Sequence, residues 1–253
     1  MTSTMRAQRF YADTKKVVVE DVPIPQPGPG EVLVKVAYCG ICHSDLSLIN
    51  GTFPAQLPVV TQGHETSGTI AKLGPGVTGW AEGDRVVVAA GKPCMDCVNC
   101  RRGDMSNCLR IRLMAFAYDG GWAEYTVAQA FGLTRVPDNV PLEQAAILAD
   151  AVSTPFGAVV RTGQVGIGES VGVWGVGGLG THIVQLARLV GQRRSSPWTS
   201  TRRCWSARWR SARTTHSTLA TRSWRRRSVR PPAAGCSTSR STPSARGRRS
   251  TRR

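Results

Sequence analysis

Four cysteines follow one another at short intervals in the middle of the chain. They are Cys94, Cys97, Cys100 and Cys108, in the pattern C-x2-C-x2-C-x7-C. Short gaps let successive thiolates converge on one ion, and four thiolates with no open position are typical of a structural zinc site. We expect Arg101 and Arg102 to offset the site's negative charge. An iron–sulfur site needs similar ligands with a shorter last gap, and free or disulfide-bonded cysteines are the third interpretation.

A second set of candidate ligands is scattered along the sequence. Cys42 lies in Gly-Ile-Cys-His-Ser-Asp, and His64 lies in Gly-His-Glu. A catalytic zinc keeps three protein ligands and leaves one position for water or substrate, and cysteine and histidine suit that task. Asp45 and Glu65 could orient the histidine from behind. Taken alone, His64 is typical of a solvated loop histidine and Cys42 of a small buried residue.

A glycine-rich turn follows a short apolar segment near residue 175. Gly175, Gly177 and Gly180 fit the pattern G-x-G-x-x-G, between a predicted strand at Val171–Trp174 and a predicted helix at Leu179–Leu189. In that context the pattern predicts a dinucleotide-binding loop, with the pyrophosphate at the N-terminus of the helix. The alternative is a glycine turn that only packs tightly.

These motifs, in this order and spacing, resemble those of the zinc-dependent medium-chain alcohol dehydrogenases. The resemblance covers about residues 5–191 and rests on four ordered motifs. It implies a GroES-like catalytic domain, β-rich and α+β in class, followed by a Rossmann domain of α/β class. It also implies two zinc ions per chain, one catalytic and one structural, together with NAD or NADP. The reaction implied is reversible hydride transfer from an alcohol carbon to the nicotinamide.

The resemblance assigns the catalytic metal site residue by residue. Cys42 and His64 match the first two zinc ligands, and Glu65 matches the acid beside the metal. Asp150 stands where the family usually has a cysteine, and a carboxylate is a competent zinc ligand. The alternative role for Asp150 is an N-cap of the next helical turn.

The resemblance also assigns the residues that meet the substrate proton and the cofactor. Ser44 matches the hydroxyl that takes the alcohol proton, and its alternative role is a helix N-cap. His43 matches a position that contacts the pyrophosphate, and Thr154 matches one near the nicotinamide. A histidine often ends the proton relay three residues after the serine, but Ser47 stands there, so the proton could leave through water or the ribose.

The predicted elements that position these residues change from strands to helix near residue 140. Short apolar runs separated by Gly/Pro turns predict a β domain, and the helical spacing over Pro141–Val160 predicts a helix. The strands predicted within that domain are Val17–Val19, Glu31–Ala37, Thr66–Leu73, Arg85–Ala90 and Gly120–Val127. The resulting domains are a zinc-binding catalytic domain at 1–150, the start of the Rossmann domain at 151–191, and a tail at 192–253.

The tail differs in composition from everything before it. Residues 192–253 contain 18 arginines and neither lysine nor acid, so their charge of +18 accounts for the chain's net charge of +17, and residues 1–191 carry −1. We expect this tail to be disordered, because it cannot bury enough apolar surface to offset its chain entropy. The segment Gln192–Thr199 contains neither a predicted strand nor the ribose-binding acid expected about 20 residues after the glycines.

Two hypotheses account for the tail. The first is a shift of the reading frame in the gene. Reading the codons of residues 194–201 in another frame allows Ala-Val-Ile-Ala-Val-Asp-Ile-Asn, which would be a strand that ends in the expected ribose-binding acid. The chain would then be an incomplete enzyme with weak or no activity. The alternative is a nucleic-acid-binding arm, in which arginines contact phosphates and tryptophans stack on bases.

The remaining expectations concern surroundings and partners. No stretch of about 18 apolar residues indicates a membrane span, and Met1–Phe10 lacks a signal-peptide core, so we expect a cytoplasmic protein. The implied partners are a small alcohol and its aldehyde or ketone, and homo-oligomers are usual in the family. Four aromatic residues are candidates for a substrate pocket, with core packing as the favoured alternative: Phe53, Trp80, Phe116 and Trp122.

Overall fold

The structure, a computed structural model, describes residues 3–191 and the backbone of residues 194–198. Its strands are β1 (Thr4–Tyr11), β2 (Lys16–Pro23), β3 (Glu31–Gly40), β4 (Val59–Thr61), β5 (Glu65–Leu73), β6 (Arg85–Val88), β7 (Gly91–Lys92), β8 (Arg112–Leu113), β9 (Tyr125–Gln129), β10 (Leu133–Arg135), β11 (Ser170–Trp174) and β12 (Arg194–Trp198). Its α-helices are α1 (His43–Ile49), α2 (Val98–Arg101), α3 (Leu142–Ala146), α4 (Ser153–Phe156) and α5 (Gly178–Leu189).

Antiparallel β structure dominates the first part of the chain, as the sequence predicts. Five strands form one sheet in the order β10-β6-β5-β3-β9, and three form another in the order β2-β1-β4. The β-branched residues that favour these strands also fill the core between them. The largest buried cluster contains Val32, Val34, Ile70, Val86, Val88, Met114, Ala128 and Leu133.

The end of the β3–β5 ladder positions the metal-site motifs. β3 pairs antiparallel with β5, and the last pair in the register is Gly40 with Glu65. Cys42 lies two residues beyond one end of this pair, and His64 immediately precedes the other. Two residues that are distant in sequence are therefore brought together by backbone hydrogen bonding at one edge of the sheet.

The predicted strand at Gly120–Val127 is only partly correct, because β9 begins at Tyr125. The first half is a turn instead, in which the N–H of Gly120 donates to Thr61 O at 2.7 Å and the N–H of Gly121 to Gly63 O at 2.8 Å. A Cβ on Gly120 would lie 2.3 Å from Gly63 O. The two glycines thus allow this turn to pack closely on the segment that leads to the candidate metal site.

The predicted continuous helix over Pro141–Val160 is wrong. The segment is divided into α3, a 3-10 turn at Ile147–Ala149, α4 and a π-helix at Gly157–Thr162. The backbone leaves helical geometry at Asp150, with φ −139° and ψ −64°. Pro155 has no N–H to continue a ladder through this region, whereas it is tolerated in the first turn of a new helix.

The last described elements form a β-loop-α-β unit. β11 is followed by the glycine loop and α5, and β12 pairs with β11 in parallel, from Ser170↔Arg194 to Trp174↔Trp198. The expectation that Gln192–Thr199 holds no strand is therefore wrong. That expectation relied on the lack of an apolar pattern, but parallel strands pair through backbone groups, which every sequence provides. Apart from this strand, the expectations for 192–253 lie outside the described residues.

No helix in the described residues is long and apolar enough to cross a membrane.

Candidate functional site

Three predicted catalytic ligands lie together at the edge of the five-stranded sheet. Cys42 caps the start of α1, His64 immediately precedes β5, and Asp150 follows the 3-10 turn after α3. Their ligand atoms all lie within 4.8 Å of one another. His64 is buried, while the other two residues are partly buried. The structure thus brings one sulfur, one nitrogen and one oxygen donor to a common point.

The separations of these atoms fit a tetrahedral zinc ion. Zinc bonds at ~2.3 Å to sulfur and ~2.0–2.2 Å to nitrogen or oxygen, so it holds sulfur and oxygen about 3.6 Å apart and nitrogen and oxygen about 3.4 Å apart. The observed distances are 3.6 Å from Cys42 Sγ to Asp150 Oδ2 and 3.4 Å from His64 Nε2 to Asp150 Oδ2. The donors present are therefore suited to zinc in both type and spacing, with one position left for a fourth ligand.

Asp45 holds two of these residues in place from behind. Its carboxylate is buried, with Oδ2 accepting the N–H of Cys42 at 3.0 Å and Oδ1 lying 3.4 Å from Nδ1 of His64. Its carbonyl accepts the side-chain amide of Gln62 at 3.0 Å. A carboxylate behind a metal-ligating histidine fixes the ring orientation and raises the basicity of the donor nitrogen. The sequence prediction for Asp45 agrees with this placement.

The electrostatic field at the three donors is strongly negative. Burial alone lowers the pKa of His64, but the carboxylates of Asp150 and Asp45 outweigh it and raise this pKa to about 11. The histidine in turn lowers the pKa of Asp150. A site that attracts a proton so strongly to a buried ring also attracts a metal cation.

Glu65 was predicted among the metal residues, and it lies just beside the three donors. Its Oε1 accepts the N–H of Ala151 at 3.0 Å, and burial raises the pKa of its carboxyl group. A Cβ on Gly40 would lie 2.1 Å from Oε2 of Glu65, so the glycine makes room for this carboxylate. The structure thus places Glu65 as a support for the backbone that follows Asp150.

The predicted helix-capping alternatives do not describe the structure. The N-cap of α1 is Cys42 rather than Ser44, and the N-cap of α4 is Val152 rather than Asp150. Asp150 instead accepts a hydrogen bond at Oδ1 from the hydroxyl of Thr154, at 2.5 Å, which orients the carboxylate toward the other donors.

Two further predicted residues lie on α1 beside the metal site. Ser44 Oγ lies 3.6 Å from Sγ of Cys42, at the wall of the cleft that opens over the donors. His43 Nδ1 lies 3.5 Å from Oγ of Ser47, one helical turn away. The structure therefore pairs Ser47, at the position where the family's proton relay often ends in a histidine, with His43, which was predicted to contact the cofactor pyrophosphate.

The four clustered cysteines converge as their spacing predicts. Their sulfur atoms are 3.5 Å apart for Cys94–Cys108 and Cys97–Cys100, 3.9 Å for Cys94–Cys100 and 4.0 Å for Cys97–Cys108. A tetrahedral zinc requires about 3.8 Å between sulfurs, whereas an iron–sulfur cluster places several atoms between them. All six described cysteines are free, so the disulfide interpretation fails for them.

Electrostatic support for this lobe comes from a residue that the sequence did not indicate. Nη2 of Arg110 lies 3.5 Å from Sγ of Cys94 and contacts Asp96. Arg102, by contrast, bonds Val98 O and Asn99. Arg110, two residues after Cys108, thus contacts a cysteine sulfur directly, and the charge-offsetting role expected of Arg101 and Arg102 stays a prediction. The backbone N–H of Arg110 also donates to Cys108 Sγ at 3.4 Å.

The glycine loop has the geometry of a dinucleotide-binding turn. Gly175 has φ +85°, which favours glycine. A Cβ on Gly180 would lie 1.9 Å from the carbonyl oxygen of Gly175, so helix and strand approach closely there. A Cβ on Gly177 would meet no atom of the described residues within 4 Å, which leaves room among them beside the N-terminus of the 12-residue α5. These are the three roles that glycines play where a pyrophosphate is bound.

A cleft of about 420 Å³ opens beside the metal donors. Phe53 and Phe116 line it, as the pocket interpretation predicted for them. Trp80 and Trp122 do not: the first packs on the main core cluster, and Nε1 of the second donates to Gly40 O at 3.2 Å. Core packing is thus the correct interpretation for Trp80, and Phe116 combines both roles because it also belongs to the buried cluster of Phe10, Leu48, Val60 and Ala115.

Comparisons with known proteins agree with this architecture. Residues 28–138 match the alcohol dehydrogenase GroES-like domain. The alcohol dehydrogenase of Geobacillus stearothermophilus is 39% identical over 190 residues, which cover 74% of this chain and 56% of that protein. The chain spans about half the length of the curated relatives it matches.

Comparison with solved structures leads to the same fold and the same family. A zinc-binding dehydrogenase from Sinorhizobium meliloti, bound to NADP, superposes with a TM-score of 0.76 at 31% identity, covering 85% of this chain and 61% of that one. A cobalt- and zinc-bound alcohol dehydrogenase from Pyrobaculum aerophilum gives 0.76 at 30% identity, covering 83% and 64%. Fold and site thus define a GroES-like dehydrogenase domain joined to the start of a Rossmann domain. The chain belongs to the zinc-dependent medium-chain alcohol dehydrogenase family.

Proposed function

We propose that this chain carries the catalytic zinc site of an NAD(P)-dependent alcohol dehydrogenase. The reaction is reversible hydride transfer between a primary or secondary alcohol and the nicotinamide. The observation that carries the proposal is the geometry of Cys42, His64 and Asp150, whose donor atoms have the types and spacing of a tetrahedral zinc site with one open position. The nucleic-acid alternative has no support from the relatives compared above.

The roles of the protein groups follow from their positions. Bound zinc would supply a Lewis acid that lowers the pKa of an alcohol hydroxyl, and a bound nicotinamide would accept the hydride. Ser44, whose hydroxyl lies on the cleft wall beside Cys42, takes the alcohol proton. Thr154 and Glu65 hold Asp150 and the backbone after it in position.

The cofactor and the second metal belong to the same proposal. The loop of Gly175, Gly177 and Gly180 would hold the pyrophosphate of NAD or NADP at the N-terminus of α5. His43 would contact the same group, and Thr154 would contribute near the nicotinamide. The four clustered cysteines would hold a structural zinc that ties their lobe together. We place the protein in the cytoplasm, where thiolates stay reduced. Homo-oligomers are usual in the family, but we do not extend that state to this chain, which spans about half the length of its relatives.

The domain limits proposed from the sequence remain part of this proposal: the catalytic domain at 1–150 and the beginning of the Rossmann domain at 151–191. Because the chain spans about half the length of its relatives, the proposed activity depends on the cofactor domain as well. The test therefore uses two proteins, the chain as it stands and a version whose reading frame is restored beyond residue 191.

Two measurements test the proposal. We expect two zinc ions per chain by elemental analysis, and one in Asp150→Ala, whose remaining zinc sits in the cysteine lobe. We expect alcohol-dependent NAD reduction in the frame-restored protein, weak or absent in the chain as it stands, and absent after Asp150→Ala in both. Fewer than two zinc ions in the wild type, together with no loss of zinc in Cys97→Ser, would overturn the assignment.

A further inference from the structure

The cleft beside the metal donors has walls of two different kinds. Ser44, His64 and Asp150 form its polar end. The remaining lining is apolar except for one amide, and consists of Phe53, Pro54, Gln56, Ala90, Leu113, Met114 and Phe116. Among the described residues, no charged side chain lines the cleft away from the proposed metal site.

The volume of the cleft exceeds what a two-carbon alcohol needs. About 420 Å³ is available, within the range of roughly 300–1,000 Å³ found for pockets that enclose much larger organic ligands. A small side chain, Ala90, contributes to this space at one wall. A short alcohol would leave most of the apolar wall in contact with water.

Two phenylalanine rings contact each other in the apolar part of the cleft. The ring centroids of Phe53 and Phe116 are 6.3 Å apart with an interplanar angle of 62°, an edge-to-face arrangement. Phe116 also lies 6.0 Å from the ring of His64, so the aromatic wall begins directly beside a metal donor. Aromatic rings favour such edge-to-face contacts, and a flat ring carried by the substrate would extend the same cluster.

We propose that this cleft selects alcohols whose carbinol carbon carries an aromatic ring, and that Phe53 and Phe116 are the specificity-determining residues. The inference rests on the proposed function, because the metal donors fix the position of the alcohol oxygen. Sugar alcohols are disfavoured, since each additional hydroxyl would lose hydrogen bonds to water, and Gln56 is the one polar side chain that the described residues offer in the apolar part of the cleft.

The proposal is tested by binding rather than by turnover. The full chain is loaded with cobalt, and its visible absorption is followed while benzyl alcohol, ethanol or sorbitol is added. We expect benzyl alcohol to perturb the cobalt spectrum with a Kd at least about tenfold lower than that of ethanol, because even single methylenes are worth that factor in apolar pockets. Sorbitol should bind more weakly than benzyl alcohol.

Variants of the two rings identify the residues responsible. Phe53→Ala removes an exposed ring without opening the core and should reduce the benzyl-to-ethanol preference severalfold. Phe116→Leu, in which the buried volume is largely kept, should do the same. Phe131→Ala is the matched control, because this phenylalanine is 50% exposed and lies outside the cleft lining. The benzyl-to-ethanol preference of Phe131→Ala should equal that of the wild type.

The outcomes separate this inference from the function on which it rests. Cobalt bound at the catalytic donors, with equal affinity for benzyl alcohol and ethanol or tighter binding of sorbitol, would overturn the aromatic preference alone. A cobalt content that Asp150→Ala leaves unchanged would overturn the metal site, and the inference with it. An undiminished preference in Phe53→Ala and Phe116→Leu would also overturn the assignment of those residues.

Discussion

Asp45 Oδ1 lies 3.4 Å from Nδ1 of His64, and both atoms are buried. Among the described residues, neither atom has a conventional hydrogen-bond partner, so each depends on the other. The second oxygen of Asp45 accepts the N–H of Cys42. One buried carboxylate therefore orients two proposed ligands of the same metal ion.

Replacing Asp45 by asparagine should weaken the catalytic metal site while the fold is retained. The amide oxygen can still accept the N–H of Cys42, but the negative charge facing His64 is lost. Loss of such a supporting group typically lowers metal affinity about 10–100-fold. Competition with a chromogenic chelator would measure this change for the more weakly bound zinc.

The control for this variant is Asp138→Asn, which neutralises a fully exposed carboxylate. It should leave both zinc affinities unchanged. Wild-type zinc affinity in Asp45→Asn would contradict the role assigned to the buried carboxylate.

The four-cysteine set could be predicted from its residue types and spacing, whereas Cys42, His64 and Asp150, which are scattered in the sequence, were assigned by the family resemblance. The supporting groups could not be predicted with the same success. Arg110 reaches Cys94 only because the lobe folds back on itself, and no local pattern marks this contact. The break in the helix at Asp150 was missed for a related reason, since apolar periodicity continues across it while the tertiary site imposes another backbone conformation.

We propose that Glu65 supports the metal site through its hydrogen bond to Ala151 rather than as a ligand, and two substitutions distinguish these roles. Glu65→Gln keeps an oxygen that can accept the N–H of Ala151, whereas Glu65→Ala leaves that N–H without its acceptor. An unsatisfied buried group costs about 1–3 kcal/mol. We expect Glu65→Ala to unfold at a lower temperature and to release the catalytic zinc faster, and Glu65→Gln to remain close to the wild type.

Differential scanning calorimetry and zinc release to a chelator measure the two effects of the Glu65 variants. Equal stability and equal zinc release in Glu65→Ala and the wild type would refute the supporting role. A severe defect in Glu65→Gln alone would show that the carboxylate charge, rather than the hydrogen bond, is what the site requires.

Cys97→Ser should remove one zinc ion per chain and leave the catalytic site loaded. Serine is a poor zinc ligand, and structural zinc sites contribute directly to folding, so thermal stability should fall as well. Cys39→Ser is the matched control. Burial raises the pKa of Cys39 to about 11, so it remains a neutral thiol, with Sγ 3.3 Å from Oγ1 of Thr66.

Elemental analysis after exhaustive dialysis is the measurement for the two cysteine variants. Two zinc ions should remain in Cys39→Ser and one in Cys97→Ser. The assignment of the lobe as a zinc site fails if Cys97→Ser keeps the wild-type zinc content.

The glycine loop offers a paired test, since two of its glycines are required for different reasons. In Gly180→Ala the added Cβ would meet the carbonyl oxygen of Gly175 at 1.9 Å, and backbone atoms cannot move aside easily. Overpacking of this kind costs typically about 1–3 kcal/mol, so this variant should lose stability. In Gly177→Ala the Cβ meets no atom of the described residues within 4 Å, at a φ of −84° that alanine tolerates, so the fold of that part of the chain should be unaffected.

Cofactor binding then separates the two glycines. The Gly177→Ala methyl group would occupy the space proposed for the pyrophosphate, so NADH binding should weaken although stability is unchanged. Quenching of intrinsic tryptophan fluorescence by NADH, followed in parallel with thermal unfolding, measures both quantities on the same samples. Unchanged NADH affinity in Gly177→Ala would place the pyrophosphate elsewhere, and unchanged stability in Gly180→Ala would disprove the close approach between α5 and the glycine turn.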